Sequence, residues 1–203
     1  MGLAERKERD KAELKDTILE AAKSILLKHG IKGLSIRKIA NNVEYSPATI
    51  YLYFKDKDEI MHELMEMGFK LMNSYMSESI SELDPVKRIN GIGKAYIKFG
   101  LEKKDWYDLM FNSEKPMKHI EKCLEEWDEG MAMFALLAAT CKQAIDKLGL
   151  QGVNERILAL HLWSCVHGLV NLAQTERLEI VEQNNAKELL EKTLDSMMKT
   201  IFR

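Results

Sequence analysis

The sequence predicts an all-α protein of about nine helices, in which a small three-helix N-terminal domain precedes a larger helical domain. The 203-residue chain has twelve methionines but only three prolines, a composition that favours helices. No stretch shows the sustained alternation of apolar and polar residues expected of half-buried strands, whereas apolar residues recur at helical spacing. This length allows one or two domains and a sizeable core.

The first helix is expected from about residue 6 to residue 29. Gly30 is a natural residue to follow it, because glycine readily adopts the left-handed conformation that closes many helices. Ser35 can cap the second helix with its side-chain oxygen. Apolar residues at helical spacing define the inner face of both helices. They are Leu14, Ile18, Ala21, Ala22, Ile25, Leu26, Ile36, Ile39, Ala40 and Val43.

The third and fourth helices begin at clear capping signals. Ser46 caps the third helix, and Pro47 takes its first position, where the missing N–H has no cost. Asp56 caps the fourth helix, and Glu59, three residues later, completes a capping box. The fourth helix is expected to continue to about residue 79.

Further helices follow in the C-terminal part. A cap and a proline at Asp84-Pro85 open a helix that is expected to reach about residue 100. A shorter helix over 103–112 ends before Glu114-Lys115-Pro116, which breaks the pattern. The remaining helices are expected at about 117–148, 154–176 and 186–202, with Gly149 and Gly152 flanking the turn between the first two.

Charge is distributed unevenly along the chain. Residues 1–60 contain 12 Lys/Arg and 10 Asp/Glu, the remainder contains 18 and 22, and the formal net charge is −2. The chain is therefore not a basic coat for nucleic acid, although the asymmetry has the sign expected of a DNA-binding N-terminus. Specific DNA binding would depend on a few well-positioned residues and on a dimer that presents two DNA-binding domains.

The cysteines and the apolar runs indicate a cytoplasmic protein. Cys123, Cys141 and Cys165 are odd in number and form no C-x-x-C pair, as expected of reduced thiols. Residues 1–15 are highly charged and contain no apolar signal region. No uninterrupted apolar run approaches the roughly 18 residues that span a bilayer, so we expect no membrane association.

The stretch from Ser35 to Phe54 contains two short amphipathic helices joined by a tight turn. The second of these carries small and aromatic polar groups on its outer side. This is the pattern of a helix-turn-helix whose second helix enters a DNA groove.

This segment resembles the N-terminal domain of TetR-type transcriptional regulators over about fifty residues. The residues that carry the resemblance are Gly30, Leu34, Ser35, Ile39-Ala40 and Ser46-x-x-Thr49-Ile50-Tyr51-x-Tyr53-Phe54-x-x-Lys57-x-x-Ile60. The resemblance implies a helix-turn-helix DNA-binding domain over 1–56 and a ligand-binding and dimerisation domain over 57–203, with helix four shared. It also implies a cytoplasmic homodimer that regulates transcription.

Several side chains in this segment have the chemistry needed to contact DNA. Hydroxyl groups near the end of the third helix suit phosphate oxygens, a lysine at the start of the fourth helix can share a phosphate with that helix's N–H groups, and small apolar residues suit thymine methyls. The resemblance gives the positions that match it the same roles. The candidate contacts are Ser35, Arg37, Lys38, Ser46, Pro47, Ala48, Thr49, Tyr51, Tyr53 and Lys57. Tyr51 also fits a packing role, and Arg37 and Lys38 also fit a solvated face.

Two further features concern the DNA-binding region. Glu44 stands at a turn position where the resembled family often has glycine, so a left-handed backbone there would cost roughly 1 kcal/mol. Near the N-terminus, Arg6, Lys7 and Arg9 fit either an arm that reaches DNA or a solvated extension of the first helix held by i,i+4 ion pairs.

The last two helices are candidates for dimerisation, because one helix-turn-helix makes too few contacts to specify a genomic site. Two antiparallel pairs would form a four-helix bundle across a two-fold axis. The alternative is that the apolar stripes pack only inside one chain. The candidate interface residues are Leu158, Leu162, Val166, Leu169, Leu190, Leu194, Met197, Met198 and Ile201.

A sensory pocket is expected in the C-terminal domain. The sequence Trp163-Ser-Cys-Val-His167-Gly168 resembles the Trp-His-Gly motif of one group of TetR-type C-terminal domains. Gly168 costs about 1 kcal/mol relative to alanine within a helix, which indicates a close helix approach. Methionine and aromatic side chains suit an apolar or aromatic ligand, although each also fits a core role. The candidate lining residues are Tyr96, Phe99, Trp106, Tyr107, Met110, Phe111, Met131, Phe134, Trp163 and His167.

No pattern in the sequence indicates an enzyme, a cofactor or a metal site. His62-Glu63-x-x-Glu66 lacks the second histidine of a zinc protease motif, and Gly91-Ile-Gly93 has no preceding strand or third glycine. The carboxylates of Glu125 to Glu129 fit a solvated helix face.

We therefore expect a dimeric regulator, a repressor as in most of the resembled family, that binds a palindromic operator in double-stranded DNA. A small apolar or aromatic effector would release it. The alternatives are a small-molecule binding helical protein or an adaptor that no longer binds DNA. The sequence does not identify the effector, the operator or the regulated genes.

Overall fold

The computed structural model describes residues 2–113, 128–181 and 186–203. All the regular structure in these ranges is helical, which confirms the predicted all-α class. The helices are α1 (Leu3–Gly33), α2 (Ile36–Asn42), α3 (Pro47–Ile50), α4 (Lys57–Ile80), α5 (Pro85–Glu102), α6 (Lys104–Tyr107), a π-helical turn (Asp108–Asn112), α7 (Asp128–Leu148), α8 (Glu155–Gln174), α9 (Arg177–Val181) and α10 (Ala186–Ile201).

The predicted helix starts are confirmed by side-chain caps. Ser35 Oγ accepts the N–H of Lys38 at 3.3 Å, and Asp84 Oδ1 accepts the N–H of Val86 at 2.9 Å. Asn154 Oδ1 caps α8 in the same way, accepting N–H groups of the first turn at 3.0 and 3.1 Å. Such caps satisfy donors that have no partner inside the helix.

Three stretches differ from the prediction. Helix α1 is kinked at Gly30 (φ 64°), the residue expected to follow it, and continues for one more helical turn to Gly33. The expected helix over 103–112 divides into α6 and a π-helical turn. The short helix α9 was not predicted. The predicted break at 114–116, the predicted helix start at 117 and Cys123 lie outside the described residues.

The chain divides into two compact units. The first contains residues 1–68 and 105–127, and the second contains residues 69–104 and 128–203. The dividing line lies inside α4, which is the helix that we expected the two domains to share. The assignment of residues after α5 to the first unit was not expected from the sequence.

The core of the first unit joins α1 to the helix-turn-helix. Its fully buried side chains include Ile18, Leu26, Ile39, Ile50 and Phe54. In addition, Lys15 Nζ lies 2.7 Å from a carboxylate oxygen of Glu63 and 5.3 Å from the centre of the Phe54 ring. These contacts tie α1 to the segment that follows α3.

Glycines allow close helix approaches in both units, among them Gly68 and Gly93. A Cβ atom on Gly68 in α4 would lie 2.7 Å from Met110 Sδ and 3.1 Å from a ring atom of Trp106. A Cβ atom on Gly93 in α5 would lie 3.1 Å from a methyl group of Leu194 in α10. The pair Gly91 and Gly93 therefore lies in a helix, as predicted, and Gly93 allows that helix to pack closely.

Helix α8 is both long and apolar. Within the described residues, its 20 residues are long and apolar enough, by composition, to cross a membrane, although no uninterrupted apolar run was seen. The reason is that α8 carries apolar side chains on two faces. One face, including Leu158, Ala159 and Val166, is buried in the second unit. Of the 18-residue apolar stretch as a whole, however, only 28% is buried.

Candidate nucleic-acid interface

The turn between α2 and α3 adopts the geometry that the sequence predicts. Glu44 has a φ of 59°, which confirms that this residue occupies the left-handed position. The next N–H, that of Tyr45, donates to the carbonyl of Ala40 at 2.9 Å. This bond fixes the direction in which the chain leaves α2, and it places Ser46 at the start of α3.

Helix α3 is a single turn held by its N-cap. The Oγ atom of Ser46 accepts the N–H of Thr49 at 3.1 Å and lies 3.0 Å from Thr49 Oγ1. Pro47 occupies the first helical position, as predicted. After Ile50 the chain continues in turns, with the N–H of Leu52 bonded to Thr49 O and that of Phe54 to Ile50 O.

None of the candidate DNA contacts is buried. Those exposed to solvent are Arg37, Lys38, Ser46, Pro47, Ala48 and Tyr51, whereas Ser35, Thr49, Tyr53 and Lys57 are half-buried. Tyr51 has 54% of its surface exposed, so the packing alternative does not account for this side chain. Ser35 and Ser46 serve as helix caps, and a hydroxyl oxygen that accepts a backbone N–H still carries its own hydrogen as a donor.

Lys57 has a partner that the sequence did not reveal. Its ammonium donates to the backbone carbonyl of Leu34 at 2.5 Å, across 23 residues of sequence. Lys57 therefore joins the start of α4 to the residue that precedes the α2 cap. An ammonium has three N–H donors, so this bond is compatible with an additional phosphate contact.

The start of α4 shows a variant of the predicted capping box. Asp56 Oδ1 accepts the N–H of Glu59 at 2.9 Å, as expected of an N-cap. The Glu59 carboxylate, however, accepts the N–H of Lys55 at 2.5 Å and not that of the cap residue. The effect is still to fix the chain between Phe54 and α4.

Sequence reasoning missed two exposed apolar side chains next to the candidate contacts. Leu52 is 75% exposed and Tyr45 is 47% exposed. Leu52 follows Ala48 by four residues, a helical spacing that could have marked it as a member of the same surface. Tyr45 directly precedes the α3 cap, where the sequence carries no comparable signal.

The N-terminal residues form a helical extension. Helix α1 begins at Leu3, and Arg9 lies 3.4 Å from a carboxylate oxygen of Glu13, its i+4 neighbour. Arg9 also lies 3.7 Å from Asp10. This geometry favours the solvated extension over the DNA-reaching arm, with Arg6 exposed on the same helix.

In the second unit, a hydrogen-bonded chain joins α5 to α8. Trp163 Nε1 donates to Tyr96 Oη at 3.2 Å, and Tyr96 Oη lies 3.0 Å from His167 Nδ1. Asn171 Nδ2 lies 3.1 Å from His167 Nε2 and donates to the His167 carbonyl at 3.0 Å. The Phe134 ring lies nearby, tilted by 59° to the Trp163 ring, with the two ring centres 6.2 Å apart.

These contacts suit a neutral His167 ring. With the Asn171 amide assigned so that its NH₂ group donates to the His167 carbonyl, the same NH₂ group faces Nε2, and the matching tautomer carries its proton on Nδ1, beside Tyr96 Oη. Burial lowers the pKa of His167, which agrees with a neutral imidazole at physiological pH.

The other predicted pocket residues are divided between the two units. Trp106, Tyr107, Met110 and Phe111 belong to the first unit, where the rings of Tyr107 and Phe111 lie 4.9 Å apart. In the second unit, the Phe99 ring contacts Tyr75 edge-on at 5.5 Å, and Met131 is half exposed. Tyr96, Phe134, Trp163 and His167 are thus the members that the second unit brings together.

Most of the predicted interface residues are buried within the single chain. Leu158, Leu162, Val166, Leu190, Leu194 and Met198 are buried, whereas Leu169, Met197 and Ile201 are half-buried. The outward face of α8 is formed by other residues, among them Ile157 (71% exposed), Leu160 (51% exposed) and Leu172. The sequence pattern could not separate the two faces, because both are apolar.

Gly168 lies on this outward face of α8. Among the described residues, no heavy atom comes within 4 Å of the position that a Cβ atom would take there. The close helix approach predicted for Gly168 is therefore absent within the described part of this chain. Beside the outward face, a shallow groove between α8 and α10 is lined by His161, Lys192, Thr193, Ser196, Met197, Thr200 and Ile201.

Metal ligation has no counterpart in the described ranges. No group of three or more His, Cys, Asp or Glu side chains there is arranged to hold an ion.

The buried Cys141 thiol has its pKa raised to about 12 by desolvation, so it is not a thiolate at neutral pH.

Both halves of the chain match family models. Residues 18–64 match the model of bacterial regulatory proteins of the tetR family. Residues 89–197, more than half of the chain, match the model of the tetracyclin repressor-like C-terminal domain.

Individual relatives agree with these matches. An uncharacterized helix-turn-helix-type transcriptional regulator of Haemophilus influenzae is 29% identical over 75 residues, which cover 37% of this chain and 40% of that protein. A solved structure of a Rhodococcus protein of unknown function has a TM-score of 0.74 at 20% identity, covering 94% of this chain and 96% of the other. The fatty acid degradation regulator FadR of Bacillus halodurans has a TM-score of 0.65 at 17% identity, covering 93% and 94%. At these identities the solved structures show a shared fold.

Proposed function

This chain belongs to the TetR family of bacterial transcriptional regulators, and we propose that it is a cytoplasmic homodimeric repressor that binds a palindromic operator and is released by a small apolar or aromatic effector. The observation that carries the proposal is the surface of α2, α3 and the start of α4. All the candidate contacts there are accessible to solvent, and the hydrogen bonds of Ser46, Asp56 and Lys57 fix the backbone that presents them.

We assign different roles to the side chains of this surface. Tyr51 and Thr49 donate hydroxyl hydrogen bonds to phosphate oxygens, and Arg37 reaches a base edge or a phosphate. Pro47 and Ala48, which are small and exposed, contact thymine methyl groups. Because phosphate contacts carry no sequence information, Tyr51 and Thr49 position α3, whereas Pro47, Ala48 and an Arg37 contact with a base edge contribute specificity.

The proposed dimer forms through the outward face of α8 together with α10. Two observations and a symmetry argument support this location. Ile157 and Leu160 expose large apolar surfaces that serve no folding role in the protomer. Gly168 has open space where a second helix could approach closely. A two-fold arrangement would pair this face with itself, as isologous interfaces require.

The proposed effector site includes Tyr96, Trp163 and His167, with Phe134 beside them. The aromatic rings provide apolar surface, whereas the hydrogen-bonded phenol and imidazole provide fixed polar groups for orientation. A ligand with a flat apolar body and one polar group fits this chemistry.

Release from DNA requires a coupling element, and we assign this role to α4. Its residues 57–68 belong to the first unit and its residues 69–80 to the second. An effector that favours the non-operator form by about 3 kcal/mol would weaken DNA binding roughly 150-fold.

The proposal is tested by measuring binding to the gene's own upstream DNA as a function of salt. We expect nanomolar-range affinity that falls steeply with salt, and weaker binding by the variant Tyr51→Phe, Lys57→Ala, with dimerisation retained. Loss of the Lys57 ammonium, the cationic phosphate contact removed in this variant, should reduce the magnitude of the slope of log K against log salt by about 0.9. The variant Lys142→Ala is the control, since Lys142 is exposed on α7 in the second unit.

The outcome separates this proposal from its alternatives. A chain that binds no DNA but binds apolar ligands would be a small-molecule binding protein, and DNA affinity that does not depend on salt would favour an adaptor. Unchanged affinity of the Tyr51→Phe, Lys57→Ala variant would refute the roles given to these residues. A lower melting temperature of Lys57→Ala alone would measure the structural share of its bond to Leu34.

A further inference from the structure

Leu52 has the most exposed large apolar side chain among the described residues of the first unit, with 75% of its surface accessible. Burying a leucine side chain stabilises a folded protein, so a small domain gains nothing in stability by leaving one in water. Its flanking residues are Tyr51 and Tyr53, both candidate DNA contacts. The exposed leucine thus lies inside the surface proposed to bind DNA.

The backbone places Leu52 on the same side as Ala48. The N–H of Leu52 bonds to Thr49 O at 3.1 Å and that of Phe54 to Ile50 O at 3.0 Å, so the chain continues to turn after α3. Ala48 and Leu52 are therefore one turn apart on one face. Ile50 and Phe54, on the opposite face, are fully buried in the core.

The chemistry of the major groove offers one partner for such a surface. Leucine has no hydrogen-bond donor or acceptor and cannot contact a phosphate productively. The apolar group that base pairs present in the major groove is the C5-methyl group of thymine. We infer that Leu52, together with Ala48, reads a thymine methyl group in each half-site and so determines operator sequence at that position.

This inference rests on the proposed function, in that α3 must enter the major groove. It goes beyond the proposed function by assigning base specificity to Leu52, which is not among the candidate phosphate contacts. It also predicts that the recognised base pair is defined by a methyl group and not by a hydrogen bond.

The test replaces single thymines of the operator by deoxyuridine, which keeps base pairing and removes only the methyl group. The operator is first selected from a random pool of double-stranded DNA. We expect one thymine position per half-site at which replacement weakens wild-type binding about fourfold, since burial of one methyl group has roughly this effect. In Leu52→Ala, affinity for the thymine operator should fall and the difference between thymine and deoxyuridine at that position should disappear.

Leu83→Ala is the matched control, because Leu83 is 90% exposed and belongs to the second unit. This variant should retain the full sensitivity to deoxyuridine. If Leu52→Ala keeps that sensitivity, or if no thymine is sensitive in the wild type, the inference is wrong although DNA binding stands. If the wild-type protein selects no DNA from the pool, the proposed function itself fails. Thermal melting of Leu52→Ala, expected to match the wild type, excludes misfolding as the cause.

Discussion

At the scale of the residue, two side chains hold the chain in arrangements that have a measurable cost. Glu44 adopts a left-handed backbone with φ of 59° in the turn before α3, where a Cβ atom crowds the backbone. His167 is half-buried and bonded to Tyr96 and Asn171, so that its charged form is disfavoured. Each cost can be isolated by one substitution.

Glu44→Gly should stabilise the protein by about 1 kcal/mol, because glycine adopts the left-handed conformation without strain. For a chain of this size, the melting temperature should rise by roughly 2–4 °C, measured by circular dichroism. Operator affinity should not decrease, since Glu44 is exposed and a carboxylate is repelled by phosphate. Glu176→Gly is the matched control, since Glu176 has a φ of 58° in the second unit. A lower melting temperature for Glu44→Gly would contradict the turn geometry.

His167 should make the protein less stable under mild acid. Burial lowers its pKa in the folded state, so below about pH 6.5 the unfolded chain binds the proton more readily than the folded one. This contribution to stability is complete above pH 6.5 and is lost as the pH falls through the folded-state pKa. Melting temperatures between pH 7.5 and pH 5 should therefore fall less steeply in His167→Gln. An identical slope would show that the ring is not held neutral, and His29→Gln, at an exposed position in α1, controls for loss of an imidazole.

At the scale of the element, the helices differ in what their glycines permit. A Cβ atom on Gly93 in α5 would meet methyl groups of Leu194 and Val166, so this glycine allows close packing inside the second unit. Gly168 in α8 meets nothing within 4 Å among the described residues, although it carries the same cost in helix propensity. The difference points to a partner for the outward face of α8.

Gly168→Leu should therefore weaken dimerisation without unfolding the protomer. The added side chain would extend from the outward face and prevent a second helix from approaching, while the helix propensity of the position improves. Sedimentation velocity over a concentration series should show a shift toward monomer. Ala139→Leu, an exposed position on α7, is the control. A dimer of unchanged affinity in Gly168→Leu would exclude this face as the interface.

Local signals explain which elements could be predicted. Ser46-Pro47 and Asp84-Pro85 mark helix starts because a cap and a proline act within one turn, and the structure has α3 and α5 beginning there. The π-helical turn at 108–112 and the short α9 have no such signal.

Long-range contacts explain which parts of the site could not be predicted. The bond from Lys57 to Leu34 spans 23 residues, and the contact between Tyr96 and His167 spans 71. Sequence spacing identified these residues but not their partners. Helix α8 is apolar on two faces, and the sequence pattern does not show which face is buried. The residues predicted for the interface are therefore mainly those buried within the single chain.

For the molecule as a whole, the proposed recognition of an operator depends on two-fold symmetry. One single-turn α3 offers few base contacts, whereas a two-fold pair of chains would read two half-sites and double the binding free energy. The proposed interface lies in the second unit and the proposed DNA surface in the first, so both must act together in one assembly.

The most direct test of this account is the binding of the wild-type protein to its selected operator with altered spacing, measured by fluorescence anisotropy and sedimentation. We expect two protomers per palindrome and half-site centres one helical turn of DNA, or a multiple, apart. Insertion of five base pairs at the centre should abolish tight binding, because it rotates one half-site to the opposite side of the duplex. Equal affinity for the intact palindrome, the altered spacing and a lone half-site, with one protomer bound to each half-site, would contradict the account.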